Sequence, residues 1–185
     1  AAIGYSEESK IQFDMGIIRN HYVGRTFIEP TQQIRQLGVK LKHNPNRALI
    51  KNKRIILVDD SIVRGTTSKK IVSMLYEVGA KEVHMKISSP PIKFPDYYGI
   101  DTPNVSELLA ANNSIEEMRK IIGVKTLSFL SIDGVYKALG HEKRDNKNPQ
   151  FTDHCFTGDY PVIPQDFKNQ TEKNNQLSLL SNFTG

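Results

Sequence analysis

The stretch from Arg54 to Thr67 constrains this chain more than any other part of it. Arg54-Ile55-Ile56-Leu57-Val58 is β-branched and apolar without alternation, the pattern of a strand buried on both faces of a parallel sheet. It runs directly into Asp59-Asp60-Ser61-Ile62-Val63-Arg64-Gly65-Thr66-Thr67. Beyond that loop Ile71, Val72, Leu75 and Tyr76 recur at helical spacing, Gly79 ends the helix, and Glu82 to Ile87 reads as the next strand. Strand, crossover helix and strand make a βαβ unit with an expected right-handed crossover. The fold class that follows is α/β, a parallel sheet flanked by helices.

The loop between the strand and the helix carries the chemistry. In an open parallel sheet, ligands sit beyond the carboxyl ends of the strands, and this loop leaves from such an end. Asp59 and Asp60 offer acceptors for a sugar diol, or for a divalent cation directly or through water. Gly65, Thr66 and Thr67 open the helix, where first-turn N–H groups lack intrahelical partners and the dipole favours an anion. Gly65 permits close backbone approach and the threonine hydroxyls add donors. A phosphate at one end and a diol at the other is the pattern of ribose 5-phosphate. A bare Asp-Asp pair would mean only the end of a strand, and Thr66 or Ser68 alone only a helix cap; the complete string is more specific. Neither G-x-G-x-x-G nor G-x-x-x-x-G-K-[ST] occurs in the chain, so the common nucleotide-binding loops do not apply.

The remainder reads as one domain over residues 1–160, with a polar, loose tail over 161–185. Residues 1–10 resemble the end of a helix and 13–18 a strand, while 19–30 have the polar, Gly-containing composition of a long mobile loop. Residues 31–37 suit one or two helical turns closed by Gly38, and Asn44-Pro45-Asn46 is a turn signal. Further helices are expected over 105–111, with Asn104 as a cap, over 114–122, with Ser114 and Glu117 as a capping box, and over 132–139. A strand is expected over 126–129. Of the 185 residues, 38% are hydrophobic and 24% charged, the profile of a globular chain. No apolar run approaches the roughly eighteen residues of a membrane span. The net charge of +5 is spread along the chain, without the basic stripe of a nucleic-acid binder. The densest basic stretch, Lys40-Leu41-Lys42-His43 with Arg47, Lys51, Lys53 and Arg54, reads either as a solvated loop and strand flank or as a contact for a polyanionic small molecule. The single Cys155 cannot form an internal disulfide and suits a reducing, cytoplasmic compartment.

Val58 to Thr67 resembles the 5-phosphoribosyl 1-pyrophosphate (PRPP) signature of type I phosphoribosyltransferases, and its Ser-Ile-Val-Arg version resembles that of the amidophosphoribosyltransferase family. Two further blocks agree in order. Ile18-Arg19-Asn20-His21-Tyr22-Val23-Gly24-Arg25-Thr26-Phe27-Ile28 is similar to that family's flexible loop, and Lys86-Ile87-Ser88-Ser89-Pro90-Pro91 precedes Tyr98-Gly99-Ile100-Asp101. The resemblance covers residues 1–160. It implies transfer of the 5-phosphoribosyl group of PRPP to ammonia released from glutamine, giving phosphoribosylamine and pyrophosphate in the first committed step of purine synthesis.

That resemblance also distributes roles. Asp59, Asp60, Ser61, Arg64, Gly65, Thr66 and Thr67 would bind PRPP, with Asp59 and Asp60 also holding Mg²⁺. Lys42 would stand on the pyrophosphate side, with Arg25 and Arg19 assisting as the loop closes. Tyr22, Gly24, Arg25 and Thr26 would form the flexible loop and the ammonia channel. Purine nucleotide inhibitors and a homo-oligomer are implied as well. The glutaminase half and an upstream serine-bearing segment of the transferase domain have no counterpart here, so the domain is expected to be N-terminally incomplete. Some members bind an iron–sulfur cluster near Tyr97-Tyr98-Gly99 and Cys155-Phe156-Thr157-Gly158. Asp96 takes the first place here, and Pro149 and Thr152 precede the lone Cys155, so no cluster is expected. Two rivals remain: a non-catalytic PRPP-binding regulator of the same fold, and a transferase that uses a base in place of ammonia.

Overall fold

The computed structural model describes residues 1–19, 43–99 and 104–162. In chain order these residues form α1 (Ala2–Ser9), β1 (Ile17–Arg19), β2 (His43–Pro45), α2 (Arg47–Ile50), β3 (Arg54–Asp59), α3 (Thr66–Glu77) and β4 (Glu82–Ile87). A 3-10 turn (Val105–Glu107), α4 (Leu109–Asn112), α5 (Ile115–Ile122), β5 (Thr126–Phe129), α6 (Ile132–Ala138) and α7 (His154–Thr157) follow. Strands β3, β4 and β5 make a parallel sheet in that order, with Asp59 opposite Ile87 and Ile87 opposite Phe129. The expected βαβ unit is therefore present.

Burial within the sheet departs from expectation in one respect. The full-length apolar run of β3 pointed to burial on both faces, yet residues 55–59 are only half-buried. Strand β4 alternates half-buried and buried, with Val83, Met85 and Ile87 at 4% exposure or less. The reason is position: β4 lies between two strands, while β3 is paired on one side only among the described residues. The core forms where α3 and α5 cover the buried face. Ile71, Val72, Met74 and Leu75 from α3 meet Met118 and Ile122 from α5 over Val83, Met85 and Ile87. Tyr76, placed on the buried stripe by its spacing, instead lies at the surface, where its hydroxyl accepts a hydrogen bond from the Val83 N–H at 3.2 Å.

Other boundaries moved for local reasons. The strand anticipated over 13–18 is confined to Ile17–Arg19. It pairs antiparallel with His43–Pro45, so the Asn44-Pro45 turn signal sits in a short strand. Asn46 then caps α2, its side chain accepting from the Ala48 N–H at 3.1 Å. The helix expected over 105–111 is broken into a 3-10 turn and α4, and Asn104 makes no side-chain cap bond. Ser114 and Glu117 do form the capping box of α5. Residues 19–42, read as a mobile loop and helical turns, lie almost wholly outside the described residues, as does the tail from 163 onward. No helix among the described residues is long and apolar enough to cross a membrane.

The polar segment after His141 is organised by a buried arginine that composition did not announce. Arg144 is 9% exposed and grips Asp153 with two hydrogen bonds, Nε to Oδ2 at 2.6 Å and Nη2 to Oδ1 at 3.0 Å. Nη2 also reaches Asp159 at 2.7 Å, and the Tyr136 hydroxyl donates to Asp153 Oδ2 at 2.7 Å. Nη1 donates to the Asn146 side chain at 2.9 Å, and bidentate pairing with these further bonds makes such a burial tolerable. Burial pushes the Asp153 carboxyl up, but the bonds from Arg144, Tyr136 and Thr157 outweigh it and hold the group below its ordinary range. Arg144→Met leaves that carboxylate buried without its cation, and should lower unfolding stability by about 3–5 kcal/mol in urea denaturation. A depressed carboxyl contributes stability above its unfolded value and loses it as pH falls through the folded one. Wild-type stability should therefore drop on acidification below about pH 4, and the variant should show a smaller drop.

Candidate functional site

The site is built at the carboxyl end of β3. Two bonds from the next strand's exit fix that end: the Ser88 N–H and the Ser88 hydroxyl both donate to the Asp59 carbonyl, at 3.0 and 3.1 Å. Ser88 belongs to the third sequence block, so its contribution is to hold the strand terminus. The chain then turns out of the sheet. The Asp59 carboxylate accepts from the Asp60 N–H at 3.0 Å, and the Asp60 carboxylate accepts from the Ser61 hydroxyl at 3.2 Å. Asp60 is exposed and Asp59 half-buried. Burial, reinforced by the neighbouring Asp60 charge and opposed by the Asp60 N–H and His43, leaves the Asp59 carboxyl above its ordinary value. A nearby cation would relieve that cost.

Ile62 is 1% exposed and pins the middle of the loop to the core. Gly65 then takes φ +74°, a left-handed conformation, as the residue before the first turn of α3. The helix supplies no carbonyl for the N–H groups of Thr66, Thr67 and Ser68. Residues 59 to 68 together line a cavity of about 220 Å³. Two carboxylates stand at one end of that run and the helix terminus, with Arg64, at the other. The arrangement can hold an anion at the amides while offering oxygen ligands to a diol or to a hard divalent cation. A larger space of about 870 Å³ lies along β3 and is lined by residues such as Phe13, Ile17, Ile55 and Leu57. It is larger and also reaches Lys53, Arg54, Asp59, His84 and Lys86, but it does not include the helix terminus at Gly65 to Ser68.

Asp59, Asp60, Ser61, Arg64, Gly65, Thr66 and Thr67 are thus brought together as the sequence suggested. Tyr22, Gly24, Arg25, Thr26 and Lys42 lie outside the described residues, and of Arg19 only the backbone is described. Sequence reasoning missed Glu107 and Leu109, which touch the loop from more than forty residues away. Arg64 Nε donates to Glu107 Oε2 at 2.7 Å, and the Leu109 N–H donates to the Val63 carbonyl at 2.9 Å. No local pattern announces a contact over that separation.

Asp96, His154 and Cys155 form a second cluster, with candidate ligand atoms within 4.8 Å of one another. His154 Nε2 and Asp96 Oδ2 are 2.6 Å apart, a hydrogen bond between side chains only 4% and 5% exposed. Burial, then the Asp96 charge, pushes the Cys155 thiol up to about 11, which keeps it protonated and poorly nucleophilic near neutrality. The cluster joins residues 93–98 to 153–162: the Lys93 N–H donates to the Cys155 carbonyl at 2.9 Å, and the Tyr98 hydroxyl donates to the Val162 carbonyl.

No family model matches the chain. Individual proteins do. Amidophosphoribosyltransferase of Rhizobium etli is 62% identical over 182 residues, 98% of this chain and 36% of that protein. The Bacillus subtilis amidophosphoribosyltransferase is 54% identical over 162 residues, 88% of this chain and 34% of that one. A solved structure of the glutamine PRPP amidotransferase from Bacillus subtilis, complexed with ADP and GMP, superposes with a TM-score of 0.76 at 53% identity, covering 89% of this chain and 36% of its own. The chain belongs to the amidophosphoribosyltransferase family. It spans about a third of the length of the curated relatives it matches, and its α/β fold is that of the family's phosphoribosyltransferase domain.

Within this amidophosphoribosyltransferase-family domain, Gly65 has little freedom to change. A side chain there would strain the positive φ and place a Cβ 2.5 Å from Leu109 Cδ2. Gly65→Ala should lower stability by about 1–3 kcal/mol in thermal or urea unfolding. Amide resonances of residues 62–68 should shift while those of β4 stay in place.

Proposed function

We propose that this chain carries the site at which the 5-phosphoribosyl group of PRPP is transferred to ammonia, giving phosphoribosylamine and pyrophosphate. One observation carries the reading: a strand-end pair of carboxylates and a helix terminus led by Gly65 share one small cavity along a ten-residue loop. Kinship supports it further, since the relatives bear the name of the transferase and not of a regulator. That naming favours catalysis over a PRPP-binding regulator of the same fold.

In this reading the amides of Gly65 to Thr67 and the threonine hydroxyls take the 5-phosphate, with Arg64 adding charge. Asp59 and Asp60 orient the ribose hydroxyls and hold Mg²⁺; two adjacent carboxylates at a strand end suit a hard cation that keeps several waters. The metal would offset charge on the departing pyrophosphate. The carboxylates also stabilise the positive character that develops on the ribose as the anomeric bond breaks. Neutral ammonia forms the new C–N bond as the pyrophosphate leaves with the bonding pair, and the extra proton passes to solvent. Lys42 and Arg25 are proposed on the pyrophosphate side, and Tyr22, Gly24 and Thr26 in a segment that closes over the substrate to exclude water.

The proposal extends to ammonia drawn from glutamine by a glutaminase unit, control by purine nucleotides, a homo-oligomer and a cytoplasmic setting. It includes no iron–sulfur cluster, because such clusters are held by several thiolates and the chain has one cysteine.

Calorimetric titration with PRPP and Mg²⁺ tests the site. Asp59→Asn/Asp60→Asn should bind about 10–100-fold more weakly with an unchanged circular dichroism spectrum; equal affinity would remove the carboxylates from the site. Binding needs the Asp59 anion, whose proton is held to higher pH than usual. Wild-type affinity should therefore fall on acidification at a higher pH than an unperturbed aspartate would give, and Asp59→Asn should abolish that step.

A further inference from the structure

The segment from Asn104 to Asn113 is built more rigidly than its broken helix suggests. Asn112 Nδ2 donates to the carbonyls of Val105 and Leu108, both at 2.8 Å, and Asn113 Nδ2 donates to the Leu109 carbonyl at 2.9 Å. Leu108 is fully buried, and the capping box of α5 begins immediately afterwards at Ser114. This stapled turn touches the PRPP-type loop at three points. The Leu109 N–H holds the Val63 carbonyl, the Leu109 side chain fills the space beside Gly65, and the Glu107 carboxylate takes Arg64 Nε at 2.7 Å.

The third contact is selective in which edge of the guanidinium it uses. Glu107 bonds Nε, while Nη1 and Nη2 have no partner among the described residues. Arg64 itself lines the 220 Å³ cavity. A guanidinium presents its donors in a fixed planar fork, so a carboxylate on Nε leaves the Nη1–Nη2 edge for a second anion. Without Glu107 the half-exposed Arg64 side chain would sample many rotamers and lose that freedom on binding.

We propose that Glu107 is a positioning residue of this site, anchoring Arg64 through Nε so that its Nη edge is kept for the phosphate of the substrate. The inference rests on the PRPP reading above and adds to it a residue outside the signature. Glu107 also brings a negative charge toward an anionic ligand, an effect opposite in sign. The two separate by substitution. Glu107→Gln keeps an oxygen acceptor for Nε and removes the charge, whereas Glu107→Ala removes both.

The test is calorimetric titration of the chain with PRPP and Mg²⁺ for wild type, Glu107→Ala, Glu107→Gln, Arg64→Ala and Arg64→Ala/Glu107→Ala, with thermal midpoints measured alongside. Glu107→Ala should weaken binding by about fivefold, the scale of an exposed ion pair. Glu107→Gln should bind at least as tightly as wild type, and Glu107→Ala should have no effect once Arg64 is alanine. A Glu107→Ala variant that binds as tightly as wild type overturns the anchor, as does an equal loss in Glu107→Gln or in the Arg64→Ala background. A folded wild-type chain that does not bind PRPP at all overturns the PRPP reading, and the anchor with it.

Discussion

The termination of β3 at Asp59 is the constraint on which the rest of the site depends. Ser88, leaving the neighbouring strand, places two donors on the Asp59 carbonyl, and the in-register pairing of Asp59 with Ile87 sets the height of that exit. From there only five residues, 60–64, separate the first carboxylate from the left-handed Gly65 that opens α3. A strand one residue longer would turn the next side chain to the opposite face and carry the carboxylates away from the helix terminus. The chemistry of the loop is thus set by hydrogen bonds of the sheet, which is why a site made of backbone amides can be built at all.

Much of this is legible in the amino-acid sequence alone. Isoleucine, leucine and valine without alternation, an acid pair and Gly-Thr-Thr define a strand, a turn and a helix start through short-range physics, and each appeared where expected. Ser114 and Glu117 gave away a helix start in the same way. Contacts that close over distance were not legible. Arg144 sits in a polar, Asn-rich stretch with the composition of a solvated loop, and only the folded chain brings Asp153, Asp159 and Tyr136 around it. Tyr76 fitted a helical stripe, but the stripe's edge lies at the surface and Met74 occupies the core. Glu107 and Leu109 gave no local sign, since their partners are Arg64 and Val63.

Relatives more than half identical over nearly all of this chain extend to about three times its length. The domain therefore corresponds to about a third of those proteins. On the proposed function its polar loop would receive a donor of activated ribose phosphate, and the contacts from Glu107 and Leu109 give that loop a defined shape. Preorganisation of this kind lowers what must be ordered on binding.

Whether residues 59–67 hold the ribosyl phosphate, as proposed, can be read from backbone amide resonances of the isotope-labelled chain as PRPP and Mg²⁺ are added. The largest shifts should fall at Gly65, Thr66 and Thr67, with a second set at Asp59 and Asp60 that requires the metal. Saturable shifts centred elsewhere, with these five amides unmoved, would contradict it.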